Sequence, residues 1–290
     1  MNQAITSGNN FRDPFLFENV INAIGDKSDI SLDLGGVSFI EPYSMIGLLL
    51  LGRNQIRNSG NKISLNNVPL QIHQYLSRMD FLSTGIFDVT DEVNEKMLLK
   101  RSSFSKSVLE IIEIPGKEKQ SIKIINDIIH TFRSRAKFIL KYWFNATIVD
   151  YFITVISELC QNIFEHSLDS GYLVMQSYQM SNEKVVRLVI ADSGVGIPNS
   201  FKKENKYDFA SDSEYIKNAL LRPISSKRDF GYGLCQVNSI MEKLQGTIYI
   251  RSQRSSLTAM YKKAGGDPYF FVKDNLREFQ GTQISLTLVK

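Results

Sequence analysis

Only two cysteines, three histidines and one tryptophan occur among the 290 residues. Two cysteines cannot build a disulfide framework. Cys160 and Cys235 each sit in an apolar helical pattern, which reads as a buried thiol in a reducing compartment. His73, His130 and His166 are scattered along the chain, so no metal-ligand cluster is expected from them. The longest strongly apolar run, MIGLLLL at 45–51, is far too short to cross a bilayer. The opening residues MNQAITSGNN lack the charged and apolar regions of a secretion signal, and a cytoplasmic location is expected. A strong charge of one sign is also missing, since 34 Lys and Arg stand against 30 Asp and Glu. The small excess is uneven: residues 1–100 hold 8 basic and 11 acidic groups, the remainder 26 and 19. An excess of that size suits a phosphate ligand as well as nucleic acid, and the interspersion of its basic residues with acids argues against a nucleic-acid stripe.

What is present is an ordinary globular composition, 43% apolar and 22% charged. The segment PFLFENVINAIG (14–25) is helical with Gly25 as its stop, and DISLDLGGVSF carries Ile30, Leu32 and Leu34 at the period of a strand. A helix beginning near Pro42, a strand KISLNNV (62–68) and a short helix PLQIHQYLSRM follow. Alternation with short connections predicts parallel strands in an α/β layer. Residues 91–107 are charged and serine-rich, and the boundary between a domain at 1–100 and one at 101–290 is placed there. The second block reads as a strand at 108–116, helices at 119–138 and 147–167, and strands at 172–180 and 185–191. A polar stretch over 199–229 leads to a helix near 232–244 and two last strands, TIYIRSQ and GTQISLTLVK, separated by an insertion-like, aromatic segment. That order predicts a mixed, mostly antiparallel sheet with helices on one face.

Three short stretches carry candidate chemistry. In ISELCQNIFEHS, Phe152, Ile156, Leu159 and Ile163 form the core stripe at 100° per residue, while Glu158, Asn162, Glu165 and His166 flank it. An Asn oxygen is a hard ligand for Mg²⁺, and a carboxylate one turn away can take a proton from a nucleophile. After the apolar run VVRLVIA comes DSGVGIP, where Asp192, Gly194 and Gly196 read, taken alone, as a surface turn, and as a nucleotide pocket only together with the stretches before and after. In PISSKRDFGYGLCQ, Ser225, Ser226 and Lys227 precede Gly231, Tyr232, Gly233 and Leu234 at the start of a helix, whose free N–H groups favour an anion. Lys202, Lys203, Lys206, Arg222 and Arg228 lie in the same polar stretch and are candidates to cover phosphates.

Taken in order, Glu-x-x-x-Asn on a helix, Asp-x-Gly-x-Gly after a strand and Gly-x-Gly before a helix resemble the N, G1 and G2 boxes of the GHKL ATPase superfamily. That superfamily includes gyrase, the heat-shock chaperone ATPase, histidine kinases and anti-sigma-factor serine kinases. The spacing of Glu158, Asn162 and His166 is similar to the anti-sigma kinase branch. The resemblance covers about 105–290 and implies a Bergerat α/β sandwich that binds ATP and Mg. It implies that Asp192 accepts from the adenine amino group, Gly194 and Gly196 let the base approach, Asn162 binds Mg²⁺ and Glu158 is the general base. Gly231 and Gly233 would anchor a lid over the triphosphate. Phe230 departs from the usual small lid residue, and no phosphoacceptor-histidine helix is present, which argues against a two-component histidine kinase.

Residues 12–85 resemble a STAS domain, the anti-sigma-factor antagonist fold, through the pattern strand, Val37-x-Phe39-Ile40-Glu41, helix, strand and Asn67-Val68. Pro42 occupies the place of the phosphorylatable serine in signalling members, with Ser44 two positions on, and the fold's first hairpin is short. The two resemblances imply a partner-switching regulator with serine/threonine kinase activity toward a sigma-factor-like or STAS protein. A slow ATPase switch and a nucleotide-sensing scaffold without turnover are the alternatives. Superfamily precedent adds an ATP-dependent homodimer, though no heptad stretch marks one.

Overall fold

Asp13 starts the first helix by accepting hydrogen bonds from the N–H groups of Phe15 and Leu16 at 2.8 and 2.9 Å, so the cap satisfies donors that the helix leaves free. In this computed structural model the residues described are 5–6, 8–90, 95–98, 105–115, 122–166, 170–180, 182–226, 233–261 and 267–290. The chain divides into two units, Met1–Phe104 and Ser105–Lys290.

The first unit runs β1 (Ile5–Thr6), α1 (Pro14–Ile24), β2 (Ser31–Asp33), α2 (Pro42–Ser59), β3 (Ile63–Asn66), α3 (Leu70–Arg78) and β4 (Phe87–Val89). Its four strands lie in the order β1-β2-β3-β4, each pair parallel. Because β1 pairs in parallel with β2, the expected opening hairpin is not found among the described residues. Helix α2 begins at Pro42, whose fixed φ and missing N–H suit a first turn. Residues 42–50 are buried all round, which explains why MIGLLLL has no polar face. Ser44 lies inside that turn and is 0% exposed. His73 is buried in the packing of α3 and His130 is exposed.

The second unit runs β5 (Val108–Ile114), α4 (Ile122–Leu140), α5 (Ala146–His166), β6 (Gly171–Met180), β7 (Glu183–Asp192), α6 (Ile197–Glu204), α7 (Asp212–Leu221), α8 (Gly233–Lys243), β8 (Thr247–Gln253), β9 (Ser255–Met260), β10 (Tyr269–Lys273) and β11 (Phe279–Val289). Seven strands form one sheet in the order β10-β9-β8-β11-β7-β6-β5, with every neighbouring pair antiparallel. The α5 stripe Phe152, Ile156, Leu159 and Ile163 packs in one apolar core with Leu173, Leu188, Ile250 and Leu286 from the sheet. This is the mixed α/β architecture with a large antiparallel sheet that a Bergerat-type fold requires.

Three expectations need correction. The polar stretch 199–229 holds two helices: Ser211 caps α7 by accepting from the Glu214 N–H, and Phe201, Tyr215 and Ala219 bury a small cluster of their own. The helices are too short for a clear period, and their aromatic anchors are scattered among charges. The segment after Gln253 is a hairpin extension of the sheet, turned where Gln253 takes φ 54°. Cys235 is partly exposed, whereas Cys160 is buried and desolvation pushes its thiol up to about 12, against a smaller opposing pull from Arg133. Thiolate is the reactive form. One thiol per chain, Cys235, is therefore expected to react with Ellman's reagent in the native protein, and the second only in denaturant. Two equally fast thiols would contradict the burial of Cys160. No helix among the described residues is long and apolar enough to cross a membrane.

Candidate functional site

Helix α5 supplies the first wall of the site. With its apolar stripe pressed on the sheet, Glu158 and Asn162, one turn apart, both face a cavity of about 330 Å³. Strand β7 supplies the second. It ends at Asp192, whose Oδ1 accepts from the Gly194 N–H at 2.8 Å and bends the chain as it leaves the sheet. The loop that follows is held from below: Gln253 Nε2 donates to the Val195 carbonyl at 2.7 Å, and Ser252 Oγ accepts from the Ile197 N–H at 2.9 Å. Gly196 stands over those two side chains at φ 77°, and a Cβ there would lie 2.6 Å from Gln253 Nε2 and 2.9 Å from Ser252 Oγ. Only glycine meets both demands.

Helices α6 and α7 and the start of α8 form the third wall. Ser226 Oγ lies 2.7 Å from Ser200 Oγ, and a Cβ on Gly233 would come within 3.0 Å of Asn162 Oδ1. The first turn of α8, whose N–H groups have no partner within the helix, therefore abuts the Asn162 amide. Of the residues singled out in the sequence, Glu158, Asn162, Asp192, Gly196, Ser225, Ser226, Gly233 and Leu234 line the cavity. Gly194 does not line it and instead fixes Asp192. Lys227, Gly231 and Tyr232, and the side chains of Glu165 and His166, lie outside the described residues. Lys202, Lys203, Lys206 and Arg222 do not line the cavity either, and Lys202 pairs with Asp212 at 2.7 Å.

Sequence reading missed Thr282 and the glycine before it. Thr282 lines the cavity and stands opposite Asp192 in the β11–β7 register. Its hydroxyl is 3.0 Å from Ser252 Oγ, and Ser252 also donates to the Gly281 carbonyl. The Gly-Thr pair that opens GTQISLTLVK was the available signal, but it reads locally as an ordinary strand start.

The residues present fit Mg·ATP. Apolar walls from Leu159, Ile190, Phe201, Ile224 and Ile284 suit a flat base, and Asp192 presents a carboxylate among them. Among the described residues no group of three or more His, Cys, Asp or Glu is placed to hold a metal. Asn162 is one of the hard oxygen donors on the cavity wall, and it would suit an ion that keeps its waters and takes phosphate oxygens. No curated protein matches the chain. Residues 148–289, from the start of α5 to the end of β11, match the model of the histidine kinase-, DNA gyrase B- and HSP90-like ATPases. Over those residues the second unit is similar to the ATPase domain of those proteins.

Proposed function

We propose that the chain is a Mg·ATP-dependent regulator of the partner-switching type, acting as a serine/threonine kinase on a separate protein. The observation that carries this reading is the placement of Glu158 and Asn162 on the same cavity wall, one turn apart, with Asp192 lining the same cavity. Bound Mg·ATP would supply the phosphoryl group to be transferred. Asp192 accepts from the exocyclic amine and selects adenine; Asn162 holds the metal. Glu158 would take the proton from the attacking hydroxyl as its oxygen bonds the γ-phosphorus and the bond from that phosphorus to the β–γ bridging oxygen breaks, releasing ADP. The first unit is the STAS-like module that docks the partner, a reading supported by α2 lying between the parallel strands β2 and β3.

An acceptor within the chain is disfavoured by Ser44, which is fully buried, and by Pro42 at the usual acceptor place. The same observation favours a second reading, in which water is the nucleophile and the protein is a slow ATPase switch. Incubation with γ-labelled ATP and Mg²⁺, scoring free phosphate apart from protein-bound label, separates the two. Label transferred to a STAS or sigma-factor-like protein supports the kinase, free phosphate alone the switch, and tight binding with neither a scaffold.

Binding itself has a direct check. Asp192→Ala should weaken ATP by about 10- to 100-fold in calorimetry, the roughly 1.5–3 kcal/mol of a hydrogen bond to a charged group. Equal affinity in the variant would remove Asp192 from the site.

A further inference from the structure

Among the described residues strand β10 is one edge of the seven-stranded sheet, and its side chains are unsuited to an edge that stays in water. Tyr269, Phe271 and Val272 are 57%, 40% and 44% exposed, and the five-residue strand YFFVK carries a single charge. Sheet edges are normally blunted with charge, proline or a covering element. The direction of its backbone groups follows from the ladder. Tyr261 donates its N–H to the Gly246 carbonyl opposite it, toward β8. By antiparallel alternation Met260, Thr258 and Ser256 then turn toward β10, where Tyr269, Phe271 and Lys273 face them. Phe270 and Val272 consequently point their N–H and C=O groups outward.

We propose that a second copy of this chain pairs with that edge, antiparallel, about a two-fold axis at Phe271. In this register Phe270 of one copy and Val272 of the other exchange both backbone hydrogen bonds, so all four outward groups in each copy are satisfied. Phe271 meets Phe271 of the second copy on one face, and Phe270 meets Val272 on the other. Charge is complementary as well: each Lys273, which already lies 5.7 Å from the Phe271 ring of its own chain, faces Tyr269 across the axis, with Asp267 on the diagonal. No like charges are opposed. The interface is built from the hairpin outside the nucleotide cavity, so it forms without ATP. It also reaches the third wall of the cavity. Asp274, directly after β10, accepts from the N–H and hydroxyl of Ser213 at the start of α7 and from the Ser255 hydroxyl.

Sedimentation of the full chain without nucleotide tests the proposal. A species of twice the 33.0 kDa chain mass is expected, its fraction rising with protein concentration. Val272→Pro replaces a residue whose N–H points outward and is tolerated on an edge; it should weaken the dimer at least tenfold, with a melting curve like that of wild type at concentrations where both are monomeric. Phe271→Lys and Phe271→Glu should each be monomeric and should dimerise when mixed, which decides the matter should the proline variant misfold. A wild-type monomer at every concentration, polydisperse aggregation, or a dimer that ignores these variants or needs ATP would overturn it.

Discussion

Glu158→Ala should slow the release or transfer of the γ-phosphate by about 10²–10⁴-fold, the range for a general base, while ATP affinity stays within a few-fold of wild type. The reason lies in how α5 divides its faces. Glu158 and Asn162 share the cavity wall, but the apolar stripe that positions them is buried independently of either side chain. Shortening Glu158 therefore removes a proton acceptor and leaves the helix in place. Glu158→Gln separates the base from a merely structural group. The amide keeps the length and hydrogen-bonding capacity of the side chain and cannot take the proton, so its loss of turnover should equal that of the alanine variant. Single-turnover phosphate measurements beside calorimetric affinities make the comparison. If the glutamine variant retains turnover, Glu158 positions the site rather than acting as its base.

The parts of the site that could be read from the chain are those whose reasons are local. Glu158 and Asn162 are four residues apart on one helix, and a 100° rotation per residue puts them beside the core stripe without reference to anything else. Asp192 and its glycines follow a strand, where a turn with an acid and positive φ is written in five residues. The reasons for Thr282, Ser252 and Gln253 are not local. Gln253 is needed because Val195 presents a carbonyl 58 residues away in sequence, and Ser252 because Ile197 presents an N–H. Residues of this kind look like ordinary strand and turn positions until the sheet brings them together. The third wall was illegible for another reason. Short helices α6 and α7 bury aromatic side chains against one another, with the rings of Phe201 and Tyr215 tilted at 6.2 Å, and such a cluster leaves little periodicity. The edge hairpin shows the same limit: β9 is buried on both faces and β10 carries apolar side chains on both, so the period of two that announces a half-buried strand is blurred.

Gly281→Ala should be the most damaging single-methyl addition in the second unit. An ideal Cβ at this position would sit 1.9 Å from the Asp192 carbonyl oxygen, 2.8 Å from its carbon and 2.9 Å from the Ser193 Cα. All three are backbone atoms of the strand end that presents the Asp192 carboxylate to the cavity, so no side chain can swing aside. The φ of +94° adds a conformational cost. Gly281 lies in the irregular step between Phe279 and Thr282 on β11, and Thr282 pairs with Asp192 directly beside it. Accommodating the methyl group means opening the end of the β11–β7 pair, which draws Asp192 and Thr282 out of the cavity together. A loss of roughly 3–5 kcal/mol is expected, combining a strained φ with a main-chain clash, together with loss of ATP binding in whatever fraction folds. Gly60→Ala is the matched control. Its φ is +75° and nothing lies within 4 Å of the added carbon, so it should cost only the left-handed penalty of about 1–2 kcal/mol and leave ATP affinity unchanged. Denaturant unfolding of both variants, with calorimetric titration of ATP into each, sets the two effects side by side. A Gly281→Ala protein no less stable than Gly60→Ala would mean that the Asp192 strand end yields freely, and that the carboxylate is not held where the cavity presents it.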